Sequence, residues 1–113
     1  AATVEAAKQI GAPAIVVITK SGFSARLVSS YRPSMPVFAV TTEQATFRQL
    51  AAVWGVHPVL AEDVEVTYQE LSDFGRLAVL ETGVGEKGAS VAITAGFPFH
   101  QTGSTNNMRL DRL

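Results

Sequence analysis

The stretch Ala14-Ile15-Val16-Val17-Ile18-Thr19-Lys20-Ser21-Gly22-Phe23-Ser24-Ala25 decides the fold. Its first five residues are a continuous apolar run rich in β-branched side chains, with Pro13 ahead of it. Such a run fits a strand with no solvent face, the kind used inside a parallel sheet. A polar turn follows. Ser21 offers an N-cap, and Leu27, Val28 and Tyr31 fall at helical spacing before Pro33 stops the helix. Strand, polar turn and helix in that order make the first part of a βαβ unit.

The flanks repeat the pattern. Val4, Ala7 and Ile10 recur every third residue, and Gly11 offers a helix stop. Pro36 to Val40 reads as a second apolar strand. Thr41-x-x-Gln44 reads as a capping box, with Phe47, Leu50, Ala51 and Trp54 as a helical stripe behind it, closed by Gly55. Val56 to Leu60 is a third strand, which Pro58 assigns to an edge. Thr67-x-x-Glu70 is another capping box. It opens a helix with Leu71, Phe74 and Ala78 on one face, Leu77 beside them, and an end near Thr82. Gly75 inside that helix costs up to ~1 kcal/mol relative to Ala. Ala89 to Ala95 is a fourth strand, residues 96–107 a polar loop, and Met108 to Leu113 a short last strand. Strands alternating with helices predict an α/β fold with a parallel sheet covered on both faces. The last connection has no crossover helix, so the final strand is expected to return antiparallel at an edge.

Composition narrows the partners. The 113 residues, 1–113, are expected to form one domain. Lys plus Arg is 9 and Asp plus Glu is 10, a net charge of −1. That balance excludes the basic footprint of a usual nucleic-acid binder, so no nucleic acid is expected as a partner. No apolar run approaches the ~20 residues that span a bilayer, so no membrane is expected either. Cysteine is absent, which excludes thiolate nucleophiles and thiolate metal sites. The chain begins Ala1-Ala2-Thr3 without Met, as a piece cut from a longer protein would.

Chemistry points to one turn. Thr19, Lys20, Ser21, Gly22, Phe23 and Ser24 leave the C-terminal end of a parallel strand and open a helix. Three hydroxyls, one ammonium, a permissive glycine and helix N-terminal N–H groups describe a phosphate cradle. An ordinary strand-to-helix turn would use the same residues. Gly83-Val84-Gly85-Glu86-Lys87-Gly88 satisfies G-x-G-x-x-G, but it follows a helix and precedes a strand. That is the reverse of a dinucleotide site, so it reads as a helix stop and turn. The loop after the fourth strand offers Gly96, Phe97, His100, Thr102, Gly103, Ser104 and Thr105, at the same sheet edge as the first turn. Glu62, Asp63 and Glu65 read as partners of a helix dipole. His57 and His100 lack companions at ligand spacing. No catalytic and no metal constellation is visible.

The block Thr19-Lys20-Ser21-Gly22-Phe23-Ser24-Ala25 followed by Tyr31-Arg32-Pro33, with Gly103-Ser104-Thr105-Asn106-Asn107-Met108-Arg109 near the end, resembles the C-terminal domain of the pyruvate kinase family. The resemblance runs through nearly the whole chain. It implies a three-layer α/β/α sandwich around a five-stranded mixed sheet, mostly parallel, with the last strand antiparallel. It implies a parent enzyme of glycolysis, cytoplasmic, that transfers phosphoryl from phosphoenolpyruvate to ADP with Mg²⁺ and K⁺. Those groups sit on a separate barrel domain, so this chain alone is expected to be inactive and to need no cofactor. In relatives the first turn grips a phosphate of an allosteric effector, and Thr19, Lys20, Ser21, Gly22 and Ser24 match it position by position. Phe23 stands where a basic residue is common, and the loop arginine of such relatives is missing between Gly96 and Asn106. A second phosphate would lack a guanidinium partner, so the expected effector is a sugar phosphate or AMP. The resemblance also implies a homo-oligomer built through the final strand. Two alternatives stand beside this: a purely structural oligomerisation module, and a stand-alone phosphometabolite-binding protein.

Overall fold

The computed structural model describes residues 2–62, 66–96 and 107–113. The order is α1 (Ala2–Ile10), β1 (Ile15–Thr19), α2 (Phe23–Ser30), β2 (Val37–Thr41), α3 (Gln44–Leu50), β3 (Val56–Leu60), α4 (Tyr68–Thr82), β4 (Ser90–Gly96) and β5 (Asn107–Arg112). The five strands form one sheet in the order β3-β2-β1-β4-β5. β1, β2, β3 and β4 run parallel, and β5 returns antiparallel to β4. This is the mixed α/β architecture expected from the sequence.

Every residue of β1 and β2 is buried, which is why both segments read as unbroken apolar runs. Alternate side chains feed two cores. Val16, Ile18, Phe38 and Val40 meet Leu71 and Val79 of α4 on one face. Ile15, Val17, Val37 and Ala39 meet Val4, Ala7, Val28 and Leu50 of the other three helices on the opposite face. Pro58 lies in β3, an edge strand, where its missing N–H removes no interior ladder bond.

Four expectations about local structure change. Gly22, not Ser21, is the N-cap of α2, at φ +89° and with no side-chain cap; Ser21 Oγ accepts from the Phe23 N–H at 3.3 Å instead. The box Thr41-x-x-Gln44 is not formed. Glu43 occupies the cap position, while Thr41 ends β2 and its hydroxyl accepts the Glu43 N–H at 3.1 Å. The α3 helix stops at Leu50, so Trp54 falls outside it and is 54% exposed, with the Arg32 guanidinium stacked 4.6 Å from its ring. Thr46 and Leu50 are the buried side chains of that helix. Finally, Leu27, Tyr31 and Leu77 face outward, because the faces packed on the sheet are Ala25, Val28 and Ser29 in α2 and Leu71, Ser72, Gly75 and Val79 in α4. The second capping box does form in its main bond, Glu70 N–H to Thr67 Oγ1 at 3.1 Å. Glu62 lies ahead of that cap, and Glu70 is the acidic residue of the first turn; Asp63 and Glu65 lie outside the described residues.

β5 is held from one side. Arg109 places its guanidinium 4.5 Å from the Tyr68 ring, and Arg76 of α4 donates to the Arg112 carbonyl at 3.3 Å. Burial pushes the Tyr68 hydroxyl pKa up, with nearby Arg109 opposing the shift.

Gly75 explains how α4 lies so close to the sheet. A Cβ there would sit 2.5 Å from Val16 Cγ1 and 3.1 Å from Val40 Cγ2. The residue that weakens the helix by propensity is what lets it seat. Gly75→Ala is therefore expected to lower stability by about 1–3 kcal/mol despite the better helix former. A urea midpoint unchanged or raised in that variant would contradict the close approach.

Candidate functional site

From β1 the chain steps outward through β2 to β3, then crosses back to β4 on the other side of β1. The connections leaving β1 and β4 thus run in opposite directions, which places the topological switch point between their C-terminal ends. Open α/β sheets hold ligands in the crevice at such a point. Thr19 pairs with Gly96 across that end of the ladder. The first turn and the end of β4 are brought together there, as their placement at one sheet edge predicts.

The turn is built by its own hydroxyls. Thr19 is buried, and its Oγ1 accepts the Gly22 N–H at 2.9 Å. The Thr46 hydroxyl donates to the Lys20 carbonyl at 2.8 Å, tying the turn to α3. The space beneath Gly22 is closed by Leu50 and Thr46, each with an atom 3.3 Å from where a Cβ would stand. Positive φ and close packing together make glycine the fitting residue. The Arg26 N–H donates to the Gly22 carbonyl at 3.0 Å and starts the helical ladder. The N–H groups of Ser24 and Ala25, one step earlier, have no intrahelical acceptor by position. Lys20 and Ser21 are exposed, and Ser24 is half-buried.

Beside the turn lies a cleft of about 530 Å³ lined by Ser21, Phe23, Ser24, Leu27, Thr94 and Gly96, with Met108 of β5 and the start of α1 completing its wall. Three of the six turn residues expected to contact a ligand therefore line it. Thr19 and Gly22 shape the turn from beneath. Of the expected loop residues, Gly96 is at the cleft; Phe97, His100, Thr102, Gly103, Ser104 and Thr105 lie outside the described residues. Sequence reasoning missed Thr46, Thr94, Leu27 and Met108. Thr94 had a signal in its place near the C-terminal end of a strand. Thr46 had none, since its bond to Lys20 spans 26 residues.

Gly83 ends α4 in the left-handed region at φ +79°, so the glycine run 83–88 is the stop and turn its context indicated. His57 is exposed and its ring lies 4.8 Å from that of Phe38. Among the described residues, no group of three or more His, Asp or Glu side chains can hold a metal ion, and no helix is long and apolar enough to cross a membrane.

The class defined by this fold is an open α/β domain with its crevice at the switch point between a central strand and its neighbour. The family model described as pyruvate kinase, alpha/beta domain, matches residues 1–110. A pyruvate kinase of Agrobacterium vitis is 39% identical over 109 residues, covering 96% of this chain and 23% of the relative. One from Lactobacillus delbrueckii subsp. bulgaricus is 39% identical over 107 residues, 95% of this chain and 18% of the relative. One from Geobacillus stearothermophilus is 43% identical over 97 residues, 86% of this chain and 16% of the relative. The chain belongs to the pyruvate kinase alpha/beta domain family. It spans 16–23% of the length of these three curated relatives.

Gly96 sets the width of the crevice. A Cβ on it would overlap Ser24 Oγ and lie 3.1 Å from Ser24 Cβ. Gly96→Ala is expected to destabilise by about 1–3 kcal/mol, and Ser24→Ala in the same chain should recover at least half of the loss. Chemical denaturation of the two single variants and the double variant checks the coupling; strict additivity would contradict the contact.

Proposed function

We propose that this chain is the regulatory and oligomerisation domain of a pyruvate kinase and that it binds a phosphorylated small molecule, a sugar phosphate or AMP, in the crevice beside Thr19–Ser24. The observation that carries the reading is the coincidence of the cleft with the hydroxyls of Ser21 and Ser24 at the start of α2. A phosphate oxygen can replace the Ser21 hydroxyl as acceptor for the Phe23 N–H and take the Ser24 and Ala25 N–H groups of the first turn. The Lys20 ammonium, on the same exposed turn, supplies the counter-charge without making the chain basic. The helix dipole adds to it. The parent reaction, phosphoryl transfer from phosphoenolpyruvate to ADP in the cytoplasm, comes from the family and would be carried by residues beyond these 113.

The oligomer would form through β5. One face of that strand is pinned to α4 by Arg109. On the other face Met108 is 41% and Leu110 53% exposed, at the outer edge of the sheet. An unpaired edge strand with an apolar face suits pairing with a second copy. The same feature supports a second reading, an oligomerisation module with no effector. Both readings predict a dimer by light scattering, and a ligand-induced thermal shift separates them.

The binding claim is tested by thermal shift with fructose 1,6-bisphosphate, glucose 6-phosphate, AMP and inorganic phosphate. At 100 times Kd a ligand should add about 2.7 kcal/mol, and Lys20→Ala should abolish the shift. No shift with any of them at millimolar concentration would contradict effector binding. A shift that survives Lys20→Ala would move the site elsewhere.

A further inference from the structure

We infer that Thr46 of α3 is a positioning residue for the turn after β1: its hydroxyl holds the Lys20–Ser21 peptide plane with the carbonyl oxygen turned away from the crevice. The consequence for binding rests on the reading of the crevice as a phosphate site; the consequence for the backbone does not. Thr46 is buried, and both ends of its branched side chain touch the turn. Its Oγ1 donates to the Lys20 carbonyl at 2.8 Å, and its Cγ2 stands 3.3 Å from where a Cβ on Gly22 would be. A threonine within a helix commonly turns its hydroxyl back to a carbonyl three or four residues earlier. A hydroxyl has one proton to give, and here it goes to a residue 26 positions earlier in the chain. Leu50 reaches the same glycine, and the Gln49 side-chain oxygen accepts from Arg26 Nη2 at 3.2 Å. Helix α3 thus grips both the turn and the start of α2.

The direction of the Thr46 bond matters for an anion. A trans peptide is planar, so the C=O of Lys20 and the N–H of Ser21, which share one unit, point in opposite directions. Tying that carbonyl to α3 therefore sends the Ser21 N–H to the side of the turn away from α3. Ser21 lines the cleft and Thr46 does not. Without its donor, the Lys20 carbonyl would need another partner, and water in the crevice is the one at hand. Turned that way, its partial negative charge would oppose a phosphate. The Thr46 bond excludes that orientation. Because it goes to the backbone, it does not depend on the Lys20 side chain, whose ammonium supplies the counter-charge. Charge and backbone orientation at one residue thus have separate sources.

Titration with inorganic phosphate and N–H residual dipolar couplings, both on the 113-residue chain, test this. Thr46→Val keeps the branched shape without the hydroxyl, and Thr46→Ser keeps the hydroxyl without the methyl. Phosphate affinity is expected to fall about three- to tenfold in Thr46→Val, the worth of one hydrogen bond. The Ser21 coupling should move from its wild-type value in that variant, while the couplings of β1 and β2 stay and report that it is folded. Thr46→Ser should remain within about twofold of the wild-type affinity and keep the Ser21 coupling, since its bond persists. If Thr46→Val does not fold, the wild-type Ser21 coupling decides, because it must fit an N–H directed away from α3. An affinity or a Ser21 coupling unchanged in Thr46→Val would overturn the positioning role and leave the phosphate site standing. A Thr46→Ser variant as weak as Thr46→Val, or a wild-type Ser21 N–H directed at α3, would do the same. Absence of phosphate binding by the wild type would overturn the phosphate site, and the couplings alone would then decide the orientation.

Discussion

The structure depends on one constraint: β1 has no solvent on either face, so all its chemistry must happen where the chain leaves it. Thr19 is the last residue of that strand, and its buried hydroxyl takes the Gly22 N–H. That bond turns the chain out of the sheet within three residues and sets Gly22 in the left-handed region. Helix α2 starts from there, with its first-turn N–H groups at the sheet edge. Thr46 holds the Lys20 carbonyl from the side, so the turn is fixed from two elements. These two bonds fix the turn from which Ser21, Phe23 and Ser24 project.

Topology supplies the rest. Because β4 lies beside β1 and not beside β3, the crevice opens beside this turn. Gly75 and Gly96 serve the same arrangement at two levels. Gly75 lets α4 press on Val16 and Val40, holding β1 in place from the far face. Gly96 lets the end of β4 pass Ser24. Both glycines are explained by close approach rather than by unusual backbone angles.

Much of this was legible in the sequence, for identifiable reasons. The runs at 14–18 and 36–40 have no polar residue because both faces of their strands are buried, so their reading was robust. Pro58 marked an edge and Thr67 a helix start through local chemistry that does not depend on partners. Local rules failed where a distant partner intervened. The stripe ending at Trp54 was broken by the early stop of α3 at Leu50, and the Trp54 side chain instead meets Arg32, 22 positions earlier. Ser21 looked like a cap, but the glycine next to it takes the left-handed cap conformation, with Leu50 and Thr46 close beneath it. For the site, the turn was legible because its residue types carry the chemistry. Met108 was not, because only the sheet order brings it to the crevice.

On the proposed function, a phosphorylated ligand sits at the switch point, on the first turn of α2. Backbone amide chemical shifts followed during titration with AMP test it most directly. The largest changes are expected at Phe23, Ser24 and Ala25, with smaller ones at Thr94 and Gly96. Largest changes at the opposite sheet edge, where Lys8, Ala12 and Met35 line a second cleft of about 580 Å³, would contradict it.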